Sequence, residues 1–196
     1  SKQHHPILKN FFDASNDFNF TFNKQLKSSI ENQVGNYNVN IFKGFRTSSS
    51  NVFLKPIKNH PNLTIFTKTE VLKLNYKNKK IVSLDIKHKN KIISVKPKIG
   101  TILSSGSIMT PYLLLKSGIG NASDLKEFNL PVNLHSSHVG KNFQDHLGLD
   151  YLYKTFAATL NKDLGTWGGR IKSVLKYLYN RSGPLSLSLN QGGGYI

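Results

Sequence analysis

In the stretch NYNVNIF, Tyr37, Val39 and Ile41 alternate with Asn36, Asn38 and Asn40, a period of two that puts the apolar side chains on one face of a strand. From Pro61 onward the runs NLTIF, EVLKL, IVSLDIK, IISVK and GTILSS read as successive short strands separated by the turns KNKK, HKNK and KPK. LDYLYKTF and PLSLSLN alternate in the same way and predict two more strands. Helical spacing is rarer. Pro6 opens a short helix with Ile7, Leu8, Phe11 and Phe12 on one face, ended by the Asx-rich stretch from Asn16 to Asn23. Gly44 to Ser50 reads as a turn and helix cap. After GTILSSGS the spacing predicts a helix with Thr110 as N-cap and Pro111 at N1, closed by Gly118 and Gly120. A second helix spans about Ser123 to Phe128 and leads to the strand-like LPVNL, and a later helix carries Ile171, Val174, Leu175 and Leu178 on one face. Strands mixed with helices give an α/β (mixed α+β) fold class.

Charge changes this picture less than its size suggests. The 196 residues hold 27 Lys+Arg against 10 Asp+Glu, a formal net charge of +17. That excess raises the alternative of a basic nucleic-acid or anionic-surface binding module without catalysis. The excess is mostly lysine, is accompanied by 21 asparagines, and is spread along the chain with no aromatic-interleaved stripe, so no nucleic-acid partner is assigned. Lysines in turns and on outer faces also keep sheet edges from pairing with neighbours. With no cysteine, disulfide scaffolds and thiolate chemistry are excluded. No apolar run is long enough for a membrane span and SKQHHPILKN lacks a signal-peptide core, so the chain is expected in the cytoplasm. It starts without Met and stops on GGGYI just after a strand-like run, the expectation for a piece of a longer chain.

Chemistry concentrates in residues 104–120. A strand ending in SSGS that hands over to a helix N-terminus lets backbone approach an anionic or sugar-phosphate ligand, and Gly106 is read as a position where any Cβ would collide. His135 and His138 have i, i+3 spacing but no third ligand nearby and read as surface histidines, not a metal site. Asp145-His146 is not read as an acid–base pair, because neighbours on an extended segment point apart and no Gly-x-Ser-x-Gly elbow supplies a nucleophile. The sequon at Asn62 is a chance match that falls inside a predicted strand.

Taken together, GSIMTPYLLLKSGIG resembles the second signature of the glucose-methanol-choline (GMC) family of FAD-dependent oxidoreductases. HVGKNFQDH looks like that family's Gly-x-Asn-Leu-x-Asp-His loop, with Phe143 in the Leu place. NLTIFTKTEVLKL resembles the strand pair preceding the signature, and GPLSLSLNQGGGYI resembles a strand of the substrate domain. The resemblance runs from about His5 to Ile196 and fits least well over residues 16–35. It implies part of an FAD/NAD(P)-binding Rossmann-like domain with segments of an antiparallel-sheet substrate domain: 1–60 substrate, 61–147 FAD-binding, 148–196 substrate. Within this frame Val71 offers its backbone to the adenine of FAD, Ser105 and Gly106 lie along the adenosine, and the loop of Gly140, Asn142, Asp145 and His146 sits on the cofactor side.

The implied reaction oxidises an alcohol to an aldehyde or ketone by hydride transfer to flavin, with a histidine near the family's C-terminus taking the hydroxyl proton. None of the seven histidines here matches that residue, so no catalytic residue is assigned, and no Gly-x-Gly-x-x-Gly follows an N-terminal strand. The resemblance therefore describes an incomplete middle portion, inactive alone, whose partners are a small-molecule alcohol and the missing N- and C-terminal parts of the same enzyme. A quaternary ammonium would require an acidic or aromatic wall. The last strand offers Asn190 and Gln191 with only Tyr195 nearby, which favours a neutral primary or secondary alcohol. Ser186, Ser188 and Asn190 share a predicted face, and Ser188 and Asn190 are the candidate substrate-pocket residues.

Overall fold

A computed structural model describes residues 4–24, 26–27, 30–188 and 190–196. The chain divides into two compact units, Ser1–Leu63 with Tyr151–Ile196, and Thr64–Asp150. The first begins with α1 (Ile7–Asn16), β1 (Thr21–Phe22), β2 (Gln33–Asn36), β3 (Ile41–Phe42) and β4 (Phe45–Arg46), then short wide and 3-10 helical turns at Ser50–Leu54 and Lys55–Ile57. The second holds β5 (Thr69–Lys77), β6 (Lys80–His88), β7 (Lys91–Val95), α2 (Gly106–Lys116), β8 (Ile119–Gly120), α3 (Ala122–Glu127) and β9 (Leu134–His135). The chain returns to the first unit with α4 (Leu160–Gly165), α5 (Trp167–Asn180), a 3-10 turn at Pro184–Ser186 and β10 (Gly192–Tyr195). Among the described residues no helix is long and apolar enough to cross a membrane.

In the first unit β2 is central, parallel to β1 and antiparallel to β10. Val34 and the side chain of Gln33 are buried there. Gln33 can be buried because its amide is saturated: Nε2 donates to the carbonyls of Lys27 and Ile30, and Oε1 accepts from Asn23. The predicted strand through Tyr37, Val39 and Ile41 is not formed as read. β2 ends at Asn36, and the amides that follow bond elsewhere, Tyr37 N to Gln191 O and Ile41 N to Val39 O. β3 and β4 form a hairpin across Lys43 and Gly44, both at positive φ, the twist a two-residue turn needs. Tyr177 Oη donates to Gly44 O, and the Arg181 guanidinium lies between the Phe45 and Tyr177 rings.

In the second unit β5, β6 and β7 form an antiparallel meander. Its turns fall where KNKK and HKNK predict them: Asn78-Lys79 and Lys89-Asn90 all have positive φ, which asparagine tolerates best after glycine. Leu74, fully buried, and Ile86 join Leu113, Ile119 and Leu125 as the buried apolar side chains of this unit. Ser117, itself fully buried, ties the sheet to α2: its Oγ accepts from Leu74 N at 2.9 Å and donates to Leu113 O at 2.6 Å. Ser117→Ala leaves the Leu74 amide buried without a partner, at a cost of about 1–3 kcal/mol. Amide exchange at Leu74 should accelerate about 10- to 100-fold.

Four predicted strands are absent. NLTIF, GTILSS, LDYLYKTF and PLSLSLN have no ladder partner among the described residues. Alternation specifies a face but not a partner, and a strand exists only when its N–H and C=O groups are paired. Ile102 therefore stands exposed and the Thr101 hydroxyl is buried without a hydrogen-bond partner. The sequon at Asn62 thus lies in a turn. In PLSLSLN, whose Leu189 lies outside the described residues, the amide and hydroxyl of Ser186 both donate to Gly183 O, a local turn that replaces the ladder. The last strand forms instead at Gly192–Tyr195. α5 forms as predicted, capped by Thr166 Oγ1 accepting from Gly169 N, yet Ile171, Val174, Leu175 and Leu178 are exposed and the one buried residue of the helix is Ser173.

Candidate functional site

The helix at the centre of the sequence argument starts four residues before the predicted cap. α2 begins at Gly106 with Ser105 as N-cap, and Thr110 and Pro111 lie inside it. Thr110 does cap an N–H, but its Oγ1 reaches back one turn to accept from Ser105 N at 3.1 Å. Pro111 falls within the first turns, where the chain loses one intrahelical bond, to Ser107 O. Gly106 has φ +86°, and a Cβ built on it would meet no atom within 4 Å. The collision expected there is thus not with this chain; the backbone conformation is what selects glycine. No acidic side chain occupies the first turn, so the positive end of the helix dipole is not offset locally.

The C-terminal end differs. Gly118 has φ +78°, and a Cβ there would press into the Pro131 carbonyl oxygen and lie 2.8 Å from Asn133 Nδ2. Asn133 completes the closure by donating from Nδ2 to Ser117 O and from its backbone to Gly118 O. This part of the sequence expectation, tight packing after the helix, is what the structure contains.

Ser107, Ile108, Pro111, Tyr112 and Leu115 form one stripe of α2. They face the loop residues Gly140 to Phe143 and Gln144 across a groove of about 600 Å³. Gly140, at φ +76°, brings the loop so close to α2 that a Cβ would lie 3.2 Å from Leu115 Cδ1. Asn142 also has positive φ, at 56°. On the loop's other side Lys141 Nζ is 2.7 Å from Asp124 Oδ2 on α3. A hydrogen bond from the Lys141 ammonium holds the Asp124 carboxyl below the usual carboxylate value, so this tie is intact above the ordinary range and is lost as pH falls through the depressed one.

Of the five cofactor residues read from the sequence, Asn142 lines this groove and Ser105 and Gly106 immediately precede its first wall residue. Val71 pairs with Ile86 in the meander and is not in the wall. Asp145 is exposed, with Oδ1 accepting from His146 N at 2.7 Å, so the pair makes a local turn and no acid–base contact. Ser188 is half-buried and Asn190 exposed in the segment before β10. His135 Nδ1 accepts from Ala122 N, and no metal-binding cluster occurs among the described residues. Sequence reasoning missed the stripe through Ile108, Tyr112 and Leu115: with the cap placed at Thr110, Ile108 fell outside the predicted helix.

Residues 1–148 match the family described as GMC oxidoreductase. Alcohol dehydrogenase (acceptor) of Pseudomonas putida is 31 % identical over 201 residues, covering 100 % of this chain and 36 % of its own length. Oxygen-dependent choline dehydrogenase of Staphylococcus saprophyticus is 28 % identical, covering 97 % and 34 %. The chain spans about a third of the length of the curated relatives it matches. Among solved structures, an FAD-dependent oxidoreductase from Chaetomium thermophilum superimposes with a TM-score of 0.84 at 19 % identity, over 97 % of this chain and 34 % of that one. A formate oxidase gives 0.81 at 23 % identity, over 95 % and 33 %. These likenesses carry the fold, mixed α/β with several sheets. The match over residues 1–148 carries the family: the chain belongs to the GMC oxidoreductases, a family of FAD-dependent enzymes.

Proposed function

We propose that this chain is part of an enzyme that oxidises a neutral primary or secondary alcohol to an aldehyde or ketone, with FAD as hydride acceptor. In this reading residues 61–147 belong to the cofactor-binding side, and 1–60 with 148–196 to the substrate side. The observation that carries it is the convergence of the family's two signatures, α2 and the Gly140–Gln144 loop, on one groove. The relatives named for alcohol and choline dehydrogenation support an alcohol as the substrate class. Absence of a carboxylate beside Ser188 and Asn190 in sequence favours the neutral alcohol over choline.

The residues present fit such a cofactor. Gly106 is open and at positive φ, at the start of an 11-residue helix with no acidic first-turn residue, which suits a phosphate or ribose oxygen. Ser105 and Gly106 would run beside the adenosine, Val71 would offer backbone to the adenine, and Asn142 and Asp145 would hold the loop side. When bound, the flavin supplies the hydride acceptor. The chain's own part would be to hold and orient it, with Ser107 and Asn142 as the polar groups of the groove and the Ile108, Pro111 and Tyr112 stripe excluding water. Expression of the full reading frame should give a protein with the visible flavin absorption band. A folded, colourless full-length protein that takes up no added FAD would overturn the proposal.

A further inference from the structure

We infer that the Lys141–Asp124 ion pair is a positioning latch: it holds the Gly140–Gln144 loop against α3 and so sets the width of the groove that α2 and this loop enclose. The inference rests on the reading of that groove as the cofactor site. Within residues 139–150 the described hydrogen bonds are local, Lys141 N to His138 O and His146 N to Asp145 Oδ1. Among the described residues the contact of Lys141 Nζ with Asp124 Oδ2, at 2.7 Å, is the one polar tie from this segment to another element. The opposite tie is apolar, Gly140 against Leu115 of α2.

Two tethers on opposite sides fix a loop that has no ladder and no buried polar anchor. Lys141 directly precedes Asn142 and follows Gly140, all three in the groove wall, so the tether acts on a residue of the wall itself. The acceptor is itself well placed. Asp124 lies in the first turn of α3, where a carboxylate is favoured. The side chains are 51 % and 35 % exposed, so the pair acts on a local opening equilibrium and leaves the stability of the whole unit nearly unchanged.

The test uses Asp124→Asn, Lys141→Met and the swapped double variant Asp124→Lys/Lys141→Asp. In the full reading frame, amide exchange at residues 140–144 should speed by about threefold in each single variant, the range exposed ion pairs give, and return toward wild type in the swap. Exchange at Leu74 should not change. In the full reading frame FAD affinity should fall by a similar factor in the single variants and recover in the swap, a recovery that a merely structural role for either side chain would not produce. Unchanged exchange in the loop, or faster exchange with unchanged FAD affinity, overturns the latch. Failure of the cofactor reading looks different: wild-type full-length protein then takes up no FAD, whatever the variants do, and the positioning role falls with it.

Discussion

Gly118→Ala is expected to destabilise the Thr64–Asp150 unit by about 3 kcal/mol, while Gly106→Ala in the same helix costs about 1 kcal/mol. Both glycines sit at nearly the same backbone conformation, φ +78° and +86°. An L-residue in the left-handed region costs about 1–2 kcal/mol, and that term is common to both. The difference is space. At Gly118 the new methyl meets the Pro131 carbonyl oxygen and Asn133, whose amide closes the helix end, so backbone must move, at a further cost of about 1–3 kcal/mol. At Gly106 it meets nothing in the chain. The single tryptophan, Trp167, belongs to the other unit, so its fluorescence does not report this event. Amide exchange across β5 and β6 does, and it should accelerate by about two factors of ten for Gly118→Ala. Equal effects at the two positions would show that conformation alone, not close packing, fixes the glycine after the helix.

The same pair of glycines shows what sequence can and cannot deliver. That both positions are special is legible, because small residues around a helix mark unusual φ or close approach. Which of the two reasons applies is not, since it depends on Pro131 and Asn133, more than ten residues away. The turns at Asn78-Lys79 and Lys89-Asn90 were readable because a two-residue connection between alternating runs is decided by its own residues. The strands of NLTIF and GTILSS were not, because pairing is decided by a partner and alternation is silent about that. Thr110 is the intermediate case. Its hydroxyl does satisfy an N–H at the helix start, as its chemistry suggests, but the bond spans from Thr110 back to Ser105, and local pattern alone put the boundary at the threonine. At the groove, the family signatures pointed to Asn142 and the SSG bend, whereas Tyr112 and Lys141 required knowing which face of α2 meets which loop.

Leu74→Ala should remove about 2–5 kcal/mol from the same unit. Leu74 is fully buried and lies on β5, opposite Leu84 of β6, while its amide is held by Ser117 at the end of α2. Shortening it leaves a cavity in a small core whose other buried apolar members are Ile86, Leu113, Ile119 and Leu125, and few neighbours are free to collapse into the space. A domain's whole stability is about 5–15 kcal/mol, so the loss is a large share of it. Val82→Ala on β6 is the matched control: Val82 is 43 % exposed and its truncation should cost about 1 kcal/mol or less. Amide exchange at Ile86 reads both variants on one scale, at a position buried in wild type. Acceleration should be at least about fivefold greater for Leu74→Ala than for Val82→Ala. The Ser117→Ala variant adds the energetic link. If side chain and amide of Leu74 anchor one junction between β5 and α2, the Leu74→Ala and Ser117→Ala costs will be non-additive by about 0.5 kcal/mol or more in the double variant. Strict additivity would mean that the apolar contact and the hydroxyl bond hold the sheet to the helix independently, and that α2 keeps its place beside β5 when either one is lost.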